Sequence, residues 1–180
     1  MQKDVLLQIA RESIKSHFLK TDIDIQKLLE KYPFLKEKGA VFVTLTLNGN
    51  LRGCIGSLVS YRSLLDDLIS NAKAAAFEDP RFSPLSQKEF EDIHIEISLL
   101  STPKELYYDS IDDLKAKLRP NIDGVILKYG YNKATFLPQV WEQLPLFEQF
   151  FAHLCQKAGL EIDCLENHPE IFTYQVTKIE

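Results

Sequence analysis

Apolar positions along this chain recur at two spacings, and the switches between them mark out its elements. Leu7, Ala10, Ile14 and Phe18 stand at helical intervals, with Leu6 and Ile9 widening the stripe, so residues 3–20 predict an amphipathic helix. Asp24 is placed to cap a shorter helix over 25–31, which Pro33 bounds. The pattern then changes to an alternating, β-branched run over 40–47, which reads as a strand. Asn48-Gly49-Asn50 is a hairpin signal, and 51–58 returns as a second strand. Ser63 with Asp66 resembles a capping box ahead of a helical face made by Leu65, Leu68, Ile69, Ala72 and Ala76. Asp79-Pro80-Arg81-Phe82-Ser83-Pro84 reads as a rigid loop. Ile93, Ile95, Ile97 and Leu99 alternate with His94, Glu96 and Ser98, the pattern of a half-buried strand. Further on, Ser110 and Asp113 start a short helix. Strands are expected at 125–128 and 134–137. A helix through Phe147, Phe150, Phe151 and Leu154 stops at Gly159, and 171–178 closes the chain as one strand.

Helix runs and strand runs mix without regular βαβ alternation. This predicts an α+β fold with an antiparallel sheet flanked by helices, the main sheet containing 40–47, 51–58 and 93–100. A smaller lobe is expected within about 86–140, where strands are short and prolines frequent. The hairpin register follows from the hydrophobic pattern, because a one-residue slip would turn a whole strand over. A three-residue loop over 48–50 puts Leu45 opposite Gly53 and Val43 opposite Ile55. Val41, Val43, Leu45, Leu47, Leu51 and Ile55 then share the core face, and Thr44, Thr46, Arg52 and Cys54 share the other.

Composition narrows the function classes. The 180 residues suit one domain with room for a sizeable core, and 45% hydrophobic with 26% charged residues is ordinary for a globular protein. A net charge of −5 disfavours non-specific binding to nucleic acid or to anionic membrane. No apolar run is long enough to span a bilayer, and the first residues have no signal-peptide layout, so a cytoplasmic location is expected. Three cysteines, Cys54, Cys155 and Cys164, make a disulfide framework unexpected in a reducing compartment. Their spacing relative to His153 and His168 offers no metal motif, and no metal or cofactor is expected. Phosphate-binding glycine loops, a nucleophile elbow and metalloprotease histidine pairs are absent. Trp141, Phe147, Phe150 and Phe151 read as core packing rather than as a platform for nucleic-acid bases.

The chemistry concentrates in Leu51-Arg52-Gly53-Cys54-Ile55-Gly56, a cation, a thiol and two glycines within a strand. Cys54 reads either as a nucleophile or covalent carrier, with Arg52 nearby to favour the thiolate, or as a small inert residue. Arg52 can bind a carboxylate or phosphate through its planar fork, or form a structural ion pair with Asp79 or Glu96. Gly53 and Gly56 allow either close ligand approach or a bulge. Asp79 and Arg81 flank Pro80 and can lock their loop by an internal ion pair while walling a cleft. Glu96 and His94 project from the polar side of their strand, as a general base or as solvated groups.

This signature, with Val41-Phe42-Val43-Thr44-Leu45 upstream, resembles the AMMECR1 family. Ala74-Ala75-Ala76-Phe77-Glu78-Asp79-Pro80-Arg81-Phe82, Pro84-Leu85, Asp123-Gly124-Val125 and Thr135-Phe136-Leu137-Pro138-Gln139-Val140-Trp141 extend the resemblance over nearly the whole chain. It implies an α+β fold of a larger and a smaller lobe. It also implies a place in a three-component system with a Memo-like protein and a radical SAM enzyme. No catalytic residue is carried over by it. Two classes of function follow. One is an enzyme or enzyme subunit that uses an Arg52/Cys54 cleft on a small anionic substrate, with Gly53, Gly56, Asp79, Arg81 and Glu96 around it. The other is a non-catalytic interaction module whose signature is a docking or structural element.

Overall fold

The computed structural model describes residues 2–180. Its elements follow in the order α1 (Gln2–Leu19), α2 (Ile25–Lys31), β1 (Ala40–Leu47), β2 (Asn50–Gly56), α3 (Leu64–Phe77), α4 (Gln87–Asp92), β3 (Ile93–Leu100), β4 (Lys104–Glu105), α5 (Ile111–Lys117), β5 (Gly124–Tyr129), β6 (Asn132–Phe136), α6 (Val140–Gln143), α7 (Phe147–Lys157), β7 (Glu170–Tyr174) and β8 (Val176–Ile179). The fold is α+β, as the mixed periodicities predict. The described residues form two four-stranded sheets, ordered β2-β1-β3-β8 and β4-β7-β5-β6.

The chain up to Leu100, together with Thr177–Glu180, forms one compact unit. Val41, Val43 and Leu45 of β1 and Ile93, Ile95 and Ile97 of β3 are buried in one cluster with Ile9 and Ile14 of α1 and Leu65, Leu68 and Ala72 of α3. Alternation is the cause: every second residue of these strands points to the helices, while Thr44, Glu96 and their like point the other way. Capping is local and legible. Asp24 accepts from the Lys27 amide, and Ser63 accepts from the Asp66 amide, each at a helix start. At Ser63 the helix opens with Asp66 and Asp67, which suit the positive end of its dipole.

The β1–β2 hairpin turns on two residues, not three. Asn48 and Gly49 both have positive φ, 51° and 78°, the backbone that a tight hairpin turn of this kind requires. Leu47 therefore pairs with Asn50 and Thr46 with Leu51. A bulge then absorbs Arg52, and beyond it Leu45 faces Gly53, Thr44 faces Cys54 and Val43 faces Ile55. The expected register thus holds at Cys54, but by way of a short turn plus a bulge. Leu51 stays out of the core: it lies 44% exposed, because the two-residue turn places it opposite Thr46.

The second unit is Ser101–Val176. It differs from the span of about 86–140 expected for a smaller lobe. Residues 86–100 supply α4 and β3 to the first unit, while α7 and β7 complete the second core. Leu114, Val125, Leu127, Phe150, Phe151, Leu154 and Ile171 are buried there together. Trp141 stacks on Phe150 with ring centroids 3.7 Å apart, and its indole N–H donates to the Asp123 carbonyl at 2.9 Å. Two expectations are corrected in this region. The run 171–178 is two strands, β7 and β8, which belong to different sheets. Cys155 and Cys164 are joined by a disulfide. Gly159, with φ of +77°, ends α7 and turns the chain back, so the two cysteines meet although they share no regular element.

Candidate functional site

Cys54 lies on β2, the edge strand of the first sheet. Its backbone N–H donates to Asp79 Oδ2 at 2.9 Å, and its carbonyl accepts from Arg81 Nη2 at 3.3 Å. A loop thus stands where a further strand would pair, and both backbone groups of Cys54 are satisfied from outside the sheet. The clamp is itself rigid. Arg81 donates to Asp79 through Nε at 3.0 Å, Nη2 at 2.7 Å and the backbone amide at 3.1 Å. The Asp79 side chain is buried while that of Arg81 is 54% exposed. Hydrogen bonds from Arg81, then from the Cys54 amide, hold the Asp79 carboxyl well below the usual carboxylate range, against the opposing effect of burial. Asp79 in turn raises the pKa of Arg81, with Cys54 adding to the same effect. The expected internal ion pair of this loop is present.

Arg52 does not turn towards Cys54. It forms a bidentate pair with Glu89 of α4, Nε to Oε1 at 2.9 Å and Nη2 to Oε2 at 3.1 Å, and Nη2 also donates to the Ser83 carbonyl at 3.0 Å. Its guanidinium lies over the Phe82 ring at 5.8 Å, and Arg81 lies over the same ring at 5.5 Å. The structural ion pair expected for Arg52 exists, but its partner is Glu89 rather than Asp79 or Glu96. Glu89 also completes a capping box with Ser86 at the start of α4. Arg52, followed by Ser86, lowers the Glu89 pKa to about 2. Ser86-Gln87-Lys88-Glu89 carries the capping-box spacing, and that spacing is the signal by which α4 and Glu89 are found in the sequence.

The two glycines make room for protein. A Cβ on Gly53 would collide with the backbone carbonyl of Ala75, so Gly53 is a point of close approach between α3 and β2. A Cβ on Gly56 would collide with the ring of Phe42, its cross-strand neighbour. Neither absence is taken up by open space for a ligand.

What remains on the strand face away from the helices is a polar row. Thr44 pairs with Cys54 on one side and with Glu96 on the other. The Cys54 thiol is free and half-buried, with Sγ 3.3 Å from Thr44 Oγ1. Glu96 faces Lys178 at 3.5 Å. The structure therefore brings Cys54, Asp79 and Arg81 together, sets Glu96 one strand beyond Thr44, and withdraws Arg52, Gly53 and Gly56 into packing and ion pairing. A thiol with its backbone fixed at both polar groups and a hydroxyl beside it can act as an oriented nucleophile once deprotonated. Among the described residues, no group of three or more His, Cys, Asp and Glu side chains is placed to hold a metal ion, and no helix is long and apolar enough to cross a membrane.

Known proteins share this arrangement of sequence. A protein of Methanothermobacter thermautotrophicus is 37% identical over 175 residues, which cover 94% of this chain and 88% of that one. A protein of Saccharolobus solfataricus is 39% identical over 170 residues, covering 89% and 72% respectively. Among solved structures, an uncharacterized protein from Pyrococcus horikoshii superposes with a TM-score of 0.75 at 31% identity, over 97% of this chain and 88% of that one. The AMMECR1 family model matches residues 7–179, and the chain belongs to the AMMECR1 family.

Proposed function

We propose that this AMMECR1 protein is an enzyme or enzyme subunit in which Cys54 is the reacting group, and that the rest of the signature serves to hold it. One observation carries the reading. The Cys54 backbone is clamped through both its N–H and its carbonyl by a buried carboxylate and its arginine, while its thiol stays free and half-exposed beside Thr44. Fixing a nucleophile in this way lowers the entropy lost on reaching a reactive geometry. Arg81, bonded to the Cys54 carbonyl, stands beside the site in place of Arg52, but its charge is paired with Asp79, so the small anionic substrate of this proposal would meet only the exposed part of its guanidinium. A Memo-like protein and a radical SAM enzyme are the partners in this proposal, and family membership alone supports them. A cytoplasmic location belongs to it too, although the Cys155–Cys164 bond is not what a reducing compartment favours.

The test is alkylation by iodoacetamide. With Cys155 and Cys164 bonded to each other, Cys54 is the thiol that reacts. The native chain should label at neutral pH at least several-fold faster than the same chain in denaturant. Equal or slower labelling of the native chain would remove the reactive-thiol reading.

A second reading has its own support. Arg52, Gly53 and Gly56 each have a structural role, which is what a docking or architectural signature would show. If Cys54→Ser leaves co-purification with both partners intact and native labelling is slow, the interaction module is the better description.

A further inference from the structure

We infer that Thr44 is a positioning residue for the Cys54 thiol, donating its hydroxyl hydrogen to the sulfur in the thiolate form. The inference rests on the reading of Cys54 as the reacting group.

The register comes first. The bulge at Arg52 returns β2 to the phase in which Thr44 lies directly opposite Cys54, on the sheet face away from α1 and α3. Directly opposed residues of an antiparallel pair hold their Cβ atoms about 5 Å apart. Sγ and Oγ1 are accordingly 3.3 Å apart, within hydrogen-bonding reach for a sulfur. In the thiol form either atom can donate. Once the proton has left sulfur only the hydroxyl can, because a thiolate is purely an acceptor. The hydrogen bond is then charge-assisted and stronger than its neutral counterpart, so it holds the sulfur in place most firmly in the nucleophilic form.

Geometry leaves Thr44 free for this role. Its backbone faces β3, where it pairs with Glu96, and its hydroxyl bonds to Cys54. The groups around the pair are already engaged: Asp79 and Arg81 with each other and with the Cys54 backbone, Glu96 with Lys178. A threonine also loses little side-chain freedom here, since its branched Cβ is stiff in a strand. The hydroxyl is thereby held towards sulfur rather than sampling three directions.

The experiment compares wild type, Thr44→Val and Thr44→Ser, each as the full chain with its fold checked by thermal unfolding. Iodoacetamide labels Cys54 under native conditions at neutral pH. Thr44→Val keeps the shape and removes the hydroxyl, and it should label about tenfold more slowly, the low end for one hydrogen bond to a charged group. Thr44→Ser restores the hydroxyl and should return to within about twofold of wild type, allowing for its freer rotamer. Equal rates for Thr44→Val and wild type would overturn the inference, as would faster labelling, which would make the threonine a shield. Thr44→Ser as slow as Thr44→Val would also overturn it, by assigning the effect to packing of the methyl group. If Thr44→Val does not fold, Thr44→Ala carries the same comparison against Thr44→Ser. Slow labelling of wild type itself is a separate result: it would remove the reactive-thiol reading, whereas fast wild-type labelling that is indifferent to Thr44 would leave that reading standing and remove only this one.

Discussion

Gly53 is the residue on which the signature turns. Its α-carbon faces the Ala75 carbonyl, and that oxygen belongs to helix backbone, which cannot rotate aside as a side chain can. Adding a single methyl group must push α3 off β2 or bend the strand, and overpacking of this kind costs about 1–3 kcal/mol in typical cores. With backbone on the receiving side, Gly53→Ala should destabilise the first unit by about 3 kcal/mol or more. Denaturant unfolding would measure this. A loss below about 1 kcal/mol would show that α3 has slack at Ala75, and that the glycine is free to serve a ligand after all. By contrast, Gly49 has open space around its absent Cβ and is fixed by its positive φ alone. The two residues thus represent different demands on glycine, close approach in one case and backbone conformation in the other.

At the scale of elements, Arg52 and Glu89 tie β2 to α4 across a long stretch of sequence. Arg52→Ala removes three hydrogen bonds and leaves Glu89 with only its Ser86 contacts. Glu89 is 31% exposed, so the loss is smaller than for a fully buried pair, about 2–3 kcal/mol in thermal or denaturant unfolding. The pair also has a pH signature. The Glu89 pKa falls from 4.5 to about 2 on folding, so its contribution is fully present above about pH 4.5 and is lost as pH falls towards 2. Wild type should accordingly exceed Glu89→Gln in stability at neutral pH, and the gap should close as unfolding is measured at successively lower pH. A gap that stays constant into acid would mean the pair contributes little. The alternating strands make the main sheet and the phase of Cys54 legible in the sequence, because burial on one face admits only one register. The existence of an Arg52 ion pair is legible as well. Its partner is not, since Asp79 and Glu96 are also acidic and nothing in the spacing ranks them below Glu89. The short turn is hidden for a related reason: turn plus bulge and longer loop give the same pairing beyond Arg52, and they differ only over Asn50, Leu51 and Arg52. Between β7 and β8 a single residue, Gln175, intervenes and no glycine or proline interrupts the run, so the change of sheet leaves no mark.

At the scale of the whole molecule, two cores form, the first from the N-terminal stretch and the last few residues and the second from the stretch between, each with its own cluster of buried side chains. The Cys155–Cys164 bond lies wholly within the second, closing a loop of nine residues' separation. A crosslink over so short a loop stabilises by about 2–3 kcal/mol, chiefly by restricting the unfolded chain. Reduction by dithiothreitol should therefore speed hydrogen exchange in α7 and the Cys164–Asn167 turn while leaving α3 and β1 protected as before. Equal acceleration in both would show that the two units open together. The clamp on Cys54 has a consequence at this scale as well. An edge strand with unpaired backbone groups invites another chain to add to the sheet, and natural proteins block such edges. Here Asp79 and Arg81 occupy the bonding positions that an incoming strand would need at Cys54. The sheet cannot grow past that point, so no neighbouring chain can cover the thiol by strand addition. The loop that fixes the cysteine is thus also a terminator, blocking strand addition at the place where the thiol stays half-exposed.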